Sequence, residues 1–468
     1  MGIFKKIFSI YRKQDKKLIR LKKIYNIKRL KEKQKAFCWA PFTALRFNQN
    51  GYVQVCCHHV DFQSLKKNSL REIWFGNTLN LMREQMKTYS IPSACNFCAS
   101  NFFTENFDNV NALSFDHYAI SDSGYPVFMD FSIDNTCNLA CIMCDASLSS
   151  KIQLNKNIQP KADIFRYDEH FIQQLEEFIP YLKGAVFTGG EPFLINSYYD
   201  LWEKMVAVNP DMNIYITTNG TVFNSRVQDA LNKGRFNITV SIDSFRKEVY
   251  EKIRIGAVLE NTLDNLTKFS DYCKSAGTQF NITICPMQIN WAEIPQIVER
   301  CNSANWNFNY NIVFKPWHLA LWSLPSEEIN QIVETYKKFC FSSLETEVQR
   351  TNSDKFKALI KLLVSWIPVA EQIQKNDSIV IEERIENKKN SFNNILRLSE
   401  NNNINKLFEK RIEFVLERIP LALFSEHFSR YLSTCKPEFI QNEFNENDDD
   451  TIADHLTAIA FHLLLMRL

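Results

Sequence analysis

No run of apolar residues in this 468-residue chain approaches the length, about 18 residues, that a membrane-spanning helix needs. The opening residues, from Met1-Gly2 onward, lack the long apolar segment of a secretory signal, so a cytoplasmic protein is expected. Net charge is nearly absent as well. The 55 Lys and Arg are matched by 53 Asp and Glu, a balance of +2, so the molecule as a whole is not a polyanion binder and no nucleic-acid partner is expected. The 13 cysteines lack the distribution of a secreted disulfide framework. They form two clusters, followed by the scattered Cys273, Cys285, Cys301, Cys340 and Cys435. That pattern suits a reducing compartment and metal centres. Core-forming material is plentiful: hydrophobic residues make up 45% and include 37 Phe, enough for two or three domains.

One cluster reads Cys137-Asn-Leu-Ala-Cys141-Ile-Met-Cys144. Three thiolates at C-x3-C-x2-C can hold three irons of a [4Fe–4S] cube and leave the fourth iron open to a small molecule. A structural zinc site would want a fourth ligand close by. Further on, the apolar Ala185-Val186-Phe187 runs into Gly189-Gly190-Glu191-Pro192. Together these motifs resemble the radical S-adenosylmethionine (SAM) superfamily. The resemblance implies that the open iron chelates the amino and carboxylate groups of SAM, and that the glycine-glycine-glutamate turn binds the amino group.

Residues 126–316 alternate short strands with helices. Strands are expected over 127–133, 185–187, 212–217, 236–243, 279–285 and 308–314. Such alternation predicts an α/β fold with a parallel sheet. The resemblance makes it a partial (β/α)6 TIM-like barrel, whose chemistry gathers at the carboxyl ends of the strands. The candidate residues all lie there. Cys137, Cys141 and Cys144 follow the first strand. Gly189, Gly190, Glu191 and Pro192 follow the second, and Asn219 the third. Ser241 and Asp243 close the fourth, and Arg254 follows them. Gly189 and Gly190 would let the backbone approach SAM, so Gly190→Val is expected to abolish SAM binding and leave the clusters intact. Glu191 would accept from the amino group or buttress the turn. Related enzymes place an arginine on the SAM carboxylate at the position of Arg254. The bland alternative for Arg254 is a surface ion pair.

The other cluster occupies residues 36–110. Cys38 precedes a hairpin signalled by Asn50-Gly51. The hairpin returns to Cys56-Cys57-His58-His59, then a helix with Ile73-Trp74 leads to Cys95-Asn-Phe-Cys98. This order is similar to the twitch/SPASM modules of radical SAM enzymes. It implies one auxiliary [4Fe–4S] cluster on Cys38, Cys95, Cys98 and one of Cys56 and Cys57. The module usually follows the catalytic domain, whereas here it precedes it. A zinc knuckle is the alternative.

Residues 1–35 carry fourteen Lys and Arg against two acids, a local +12 that leaves −10 on the rest. Phe4, Ile7, Phe8 and Tyr11, then Leu18, Leu21 and Tyr25, recur at helical spacing. Such a basic amphipathic helix either docks on the acidic remainder, the favoured expectation, or makes a peripheral membrane contact. Domains are therefore expected at 1–35, 36–110, 120–325 and 326–468. The last is helical, with a capped helix start at Pro325-Ser326. The resemblance implies an enzyme that cleaves SAM to a 5′-deoxyadenosyl radical and abstracts a hydrogen, with a flavodoxin- or ferredoxin-like electron donor. A ribosomal peptide or protein is the first substrate expected, and a sugar or other small metabolite the second. A non-enzymatic iron–sulfur or zinc protein is the contrasting class.

Overall fold

In the computed structural model the described residues are 17–27, 29–58, 63–103, 110–159, 165–374, 378–399 and 406–419, with isolated positions and short pieces elsewhere up to 460. Nine strands are present among the described residues. They are β1 (Ala44–Asn48), β2 (Tyr52–Gln54), β3 (Gln63–Ser64), β4 (Phe128–Ser132), β5 (Gly184–Phe187), β6 (Asn213–Thr218), β7 (Arg235–Ser241), β8 (Phe280–Ile284) and β9 (Asn307–Tyr310). They form one sheet in the order β3-β2-β1-β4-β5-β6-β7-β8-β9. The six strands expected from alternation are β4 to β9, side by side in chain order. Parallel pairing joins β4 to β5, β5 to β6 and β8 to β9. The crossovers carry helices Glu169–Glu176, Asn196–Val208, Ser225–Lys233, Leu259–Ala276 and Ile294–Ala304. This is the α/β fold with (β/α)6 connectivity.

Local chemistry fixes the boundaries. Asp168 accepts from the backbone N–H groups of His170 and Phe171, and Asn224 from that of Val227, so each caps the helix it precedes. Ser69 and Glu72 make a reciprocal capping box at the start of Leu70–Phe75, the helix that buries Ile73 and Trp74. The helix expected near Pro325 starts at Ser326, but Pro325 is its cap and no side chain caps it. Ser326 is instead the first helical residue.

The cysteine-rich hairpin is not a free appendage. β1 runs antiparallel to β2 and parallel to β4, so residues 36–110 share a sheet with 120–325. Register sets Phe47, Phe131 and Phe187 in one row across β1, β4 and β5. Their rings stack at 5.0 and 4.8 Å. Alternation within each segment could not reveal this pairing, which joins strands 80 residues apart in sequence.

The chain divides into two compact units. The first comprises the residues up to Asn138, Ala146–Thr239 and Asn265–Gln279. The second comprises Leu139–Asp145, Val240–Asp264 and everything from Phe280. In the second, helices Ser326–Lys338, Glu347–Gln374, Ser378–Ser399, Lys406–Arg418 and Glu426–Thr434 make up the carboxyl-terminal part. No helix among the described residues is long and apolar enough to cross a membrane.

Of the basic segment 1–35, residues 1–16, with Phe4, Ile7, Phe8 and Tyr11, lie outside the described residues. The helix over 17–25 packs within the first unit, burying Leu21 and Tyr25. Tyr25 stacks on Phe37 at 5.3 Å, and its hydroxyl donates to the Phe37 carbonyl at 3.0 Å. Arg29 is buried and grips Asp116 with two N–H donors at 2.6 and 2.8 Å. Removing one partner of a fully buried pair costs roughly 3–5 kcal/mol, but Asp116 keeps 19% of its side chain exposed, so solvent screening lowers the cost here. Arg29→Met is therefore expected to lower stability by about 1–3 kcal/mol in chemical unfolding. Unchanged stability would count against the docked reading of this segment.

Candidate functional site

In the first unit, the turn after β5 is stitched to the backbone that leads into Cys137. The Gly190 N–H donates to the Asp134 carbonyl at 3.0 Å, and that of Glu191 to the Thr136 carbonyl at 2.7 Å. Gly189 has φ +107°, and a Cβ on it would lie 2.5 Å from the Asp134 carbonyl oxygen. A Cβ on Gly190 would lie 2.2 Å from that of Thr136. The two glycines are thus required by chain meeting chain. That differs from the sequence expectation, which put their role at the ligand. Below the turn, the Tyr198 hydroxyl lies within 3.0 Å of the Phe131 carbonyl and 2.7 Å of the Thr188 carbonyl. It also accepts from the Ile133 N–H, and so ties β4 to β5.

Glu191 is fully buried. One carboxylate oxygen accepts from the Thr218 hydroxyl at 2.7 Å and the Phe193 N–H at 3.2 Å. The other accepts from the Asn219 N–H at 2.7 Å. These bonds tie the turn to the end of β6. Pro192 opens the short turn Pro192–Leu194 behind it. The carboxylate holds Asn219, whose amide nitrogen donates to Asn138 at 3.0 Å and lies 4.0 Å from the Cys137 sulfur. Ser150 accepts from the Cys137 N–H at 3.1 Å.

In the second unit, the loop with Cys141 and Cys144 pairs with the segment around Arg254. The Ala140 N–H donates to the Ile255 carbonyl and the Ile142 N–H to the Ile253 carbonyl, at 2.9 and 3.0 Å. Arg254 is buried, so it is not a surface ion pair. Its Nε sits 2.8 Å from an Asp243 carboxylate oxygen, and its Nη1 reaches the Cys141 sulfur at 4.0 Å. Ser241 is half-buried at the end of β7. Sequence reasoning missed three neighbours. Cys285, after β8, donates its backbone N–H to Asp243 at 2.6 Å. Lys315 lies 3.3 Å from Asp145, the residue after Cys144, and contacts His455 from the carboxyl-terminal part. Cys285, directly after β8, could have been signalled by its place at a strand end; nothing in the sequence marked Lys315 or His455.

The auxiliary residues are in the first unit. Cys38, Cys56, Cys95 and Cys98 line one cavity with Phe37, Val55, Met86 and Phe115. Cys57 is exposed, beside Arg46 and Asp130. His58 stacks on Phe97 at 4.0 Å, and His59 lies outside the described residues. Burial, then neighbouring thiols, raise the Cys38 thiol well above its ordinary range and push Cys95 up to about 12; burial raises Cys98 too. Thiols so placed hold their protons near neutrality and release them to a metal centre that ligates them. Four cysteines lining one cavity, with His58 also on its wall, match in number the ligand set of a [4Fe–4S] cluster. In the first unit the Asn219 amide nears the Cys137 sulfur, and in the second the Arg254 guanidinium nears that of Cys141; each contact suits an anionic thiolate.

Residues 131–301 match the profile of the radical SAM superfamily. The chain carries a radical SAM domain. Residues 38–99 match SPASM, an iron–sulfur cluster-binding domain, so the radical SAM domain here follows its auxiliary module. The radical SAM domain implies a [4Fe–4S] cluster with SAM, and the SPASM domain an auxiliary iron–sulfur centre. Among curated proteins the chain is similar to GTP 3′,8-cyclase of Aliarcobacter butzleri, 24% identical over 217 residues, covering 45% of this chain and 64% of that one. It is also similar to GTP 3′,8-cyclase of Thermodesulfovibrio yellowstonii, 27% identical over 165 residues, covering 35% and 46%. The chain thus spans about half to two thirds of these relatives. Among solved structures it is similar to native anSMEcpe with bound AdoMet, with 18% identity, 44% of this chain and 58% of that one covered, and a TM-score of 0.34. Streptococcus suis SuiB bound to S-adenosylmethionine gives 14%, 57%, 59% and 0.34.

Proposed function

We propose that this protein is a radical SAM enzyme that cleaves SAM reductively and removes a hydrogen atom from a peptide or protein substrate. Cys137, Cys141 and Cys144 would ligate the SAM-binding [4Fe–4S] cluster. That cluster, when bound, supplies the electron that breaks the sulfonium bond and yields a 5′-deoxyadenosyl radical. The observation that carries the reading is the stitching of Gly190 and Glu191 to the backbone entering Cys137, which couples the turn expected to meet SAM to a cluster ligand. Gly189, Gly190 and Pro192 shape that turn. Glu191 orients Asn219 toward Cys137. Ser241 and Asp243 stand where the family contacts the ribose and carboxylate of SAM, and Asp243 fixes Arg254. Electrons would come from a flavodoxin- or ferredoxin-like donor in the cytoplasm. The SPASM module supports the peptide or protein assignment, since such modules recur in enzymes of that kind.

A nucleotide or other small metabolite is a second reading, favoured by the likeness to GTP 3′,8-cyclase. Anaerobically reconstituted protein should form 5′-deoxyadenosine from SAM under reducing conditions. Stimulation above the substrate-free rate by a candidate peptide, and not by GTP, supports the first reading. The opposite pattern replaces it with the second, and no 5′-deoxyadenosine at all removes both.

Cys56 and Cys57 should be unequal. Cys56→Ser is expected to remove about half the iron, since one of two cubes loses a ligand. Cys57→Ser should keep all of it, because Cys57 lies outside the cavity. Iron per chain decides, and equal losses would place both residues at the cluster.

A further inference from the structure

We infer that Arg254 is an electrostatic partner of the Cys141 ligand, locked in place by Asp243, and that it sets the reduction potential of the SAM-binding cluster. The inference rests on the cluster assignment above and departs from the carboxylate-clamp role that family resemblance gives this arginine. Two backbone hydrogen bonds bracket the contact, Ala140 to Ile255 on one side and Ile142 to Ile253 on the other. They leave Cys141 and Arg254 opposite each other, each between a bonded pair. The guanidinium stands between the two groups: Nε lies 2.8 Å from the Asp243 carboxylate as an ion pair, and Nη1 lies 4.0 Å from the Cys141 sulfur.

Asp243 is fully buried and is itself fixed. Its second oxygen accepts from the Cys285 N–H at 2.6 Å, and the Asn290 side chain donates to its backbone carbonyl at 2.8 Å. A carboxylate so held cannot swing away, and the arginine cannot leave it without stranding a buried charge. A guanidinium stays protonated across the pH range in which proteins fold. The buried Arg254 therefore presents a permanent cation to the Cys141 sulfur.

The sign of the effect follows from charge. Reduction adds one electron to the cluster, so a nearby cation favours the reduced form and raises the potential, as donors to cluster sulfurs do. Asp243 opposes that cation and tempers it. The two residues should thus act in opposite directions, which a purely structural pair would not.

The test is an EPR-monitored redox titration of the full-length, anaerobically reconstituted protein with both clusters. The signal that changes shape on adding SAM identifies the relevant centre. In Arg254→Met without SAM, the reduced-to-oxidised ratio of that centre at a fixed potential should fall roughly tenfold, which a 59 mV shift gives a one-electron couple. Arg254→Lys should recover most of it, and Asp243→Asn should shift the ratio upward. The auxiliary signal should not move. An unchanged midpoint in SAM-free Arg254→Met overturns the inference, including the case where only SAM affinity falls, as a carboxylate clamp requires. Should Arg254→Met lose iron, Asp243→Asn decides: an upward shift supports the pairing, and no shift or a downward one overturns it. If the unmodified protein has no SAM-responsive signal, the cluster assignment itself fails. That result is distinct from a responsive signal whose potential ignores Arg254.

Discussion

Replacing Cys137, Cys141 and Cys144 together by alanine is expected to remove about half of the iron and all SAM cleavage. Two [4Fe–4S] cubes are expected per chain, and on the proposed assignment these three sulfurs would hold one of them. The auxiliary set is independent. Cys38, Cys56, Cys95 and Cys98 line a cavity to which none of the three contributes. The triple variant should therefore keep about four irons and the spectrum of the auxiliary centre, while 5′-deoxyadenosine falls below detection. The measurements are iron and sulfide per chain and product formation under anaerobic reduction. Persistent 5′-deoxyadenosine would show that the chemistry occurs elsewhere. Loss of all iron would show that the auxiliary centre depends on the radical SAM loop.

The parts of this molecule legible in sequence are those whose signal is local. Six strands could be placed because each is a short apolar run ending in polar residues. The Asn50-Gly51 hairpin could be placed because Gly51, at φ +76°, meets the demand of its turn. The cysteine spacing announced both clusters for the same reason: ligands of one centre recur close together in the chain. What stayed hidden is non-local pairing. Cys56 and Cys57 are identical neighbours, and only the course of the chain after β2 sends one into the cavity and leaves the other beside Arg46 and Asp130. The partner of Arg29, Asp116, is 87 residues away. The Arg254–Asp243 pair was equally obscure. Arg254 was expected on the SAM carboxylate and Asp243 at the end of the fourth strand, and nothing in spacing says that they face one another. The same holds for Lys315 and His455, which belong to regions without a recognisable motif.

Gly190→Ala is expected to disable SAM binding and the first cluster together. From sequence, the glycine was expected to face SAM, so that a larger residue would block the ligand and spare the iron. The structure reverses the order of causes. A Cβ on Gly190 meets the Thr136 carbonyl oxygen at 2.2 Å and the Asn135 carbonyl carbon at 2.6 Å, both backbone atoms with no rotamer to yield. Either the turn after β5 or the segment entering Cys137 must move. Movement breaks the bonds from Gly190 to Asp134 and from Glu191 to Thr136. It also drags on Glu191, whose carboxylate satisfies Thr218, Phe193 and Asn219. A buried carboxylate deprived of such partners costs about 1–3 kcal/mol or more for each donor left unmatched. The variant should thus lose about half its iron along with SAM affinity, while far-UV circular dichroism and the auxiliary cluster remain. Iron analysis and equilibrium SAM binding on the same reconstituted sample decide between the two causes. Full iron with lost SAM binding would return the glycine to the ligand; normal values for both would dissolve the link between this turn and the cluster loop.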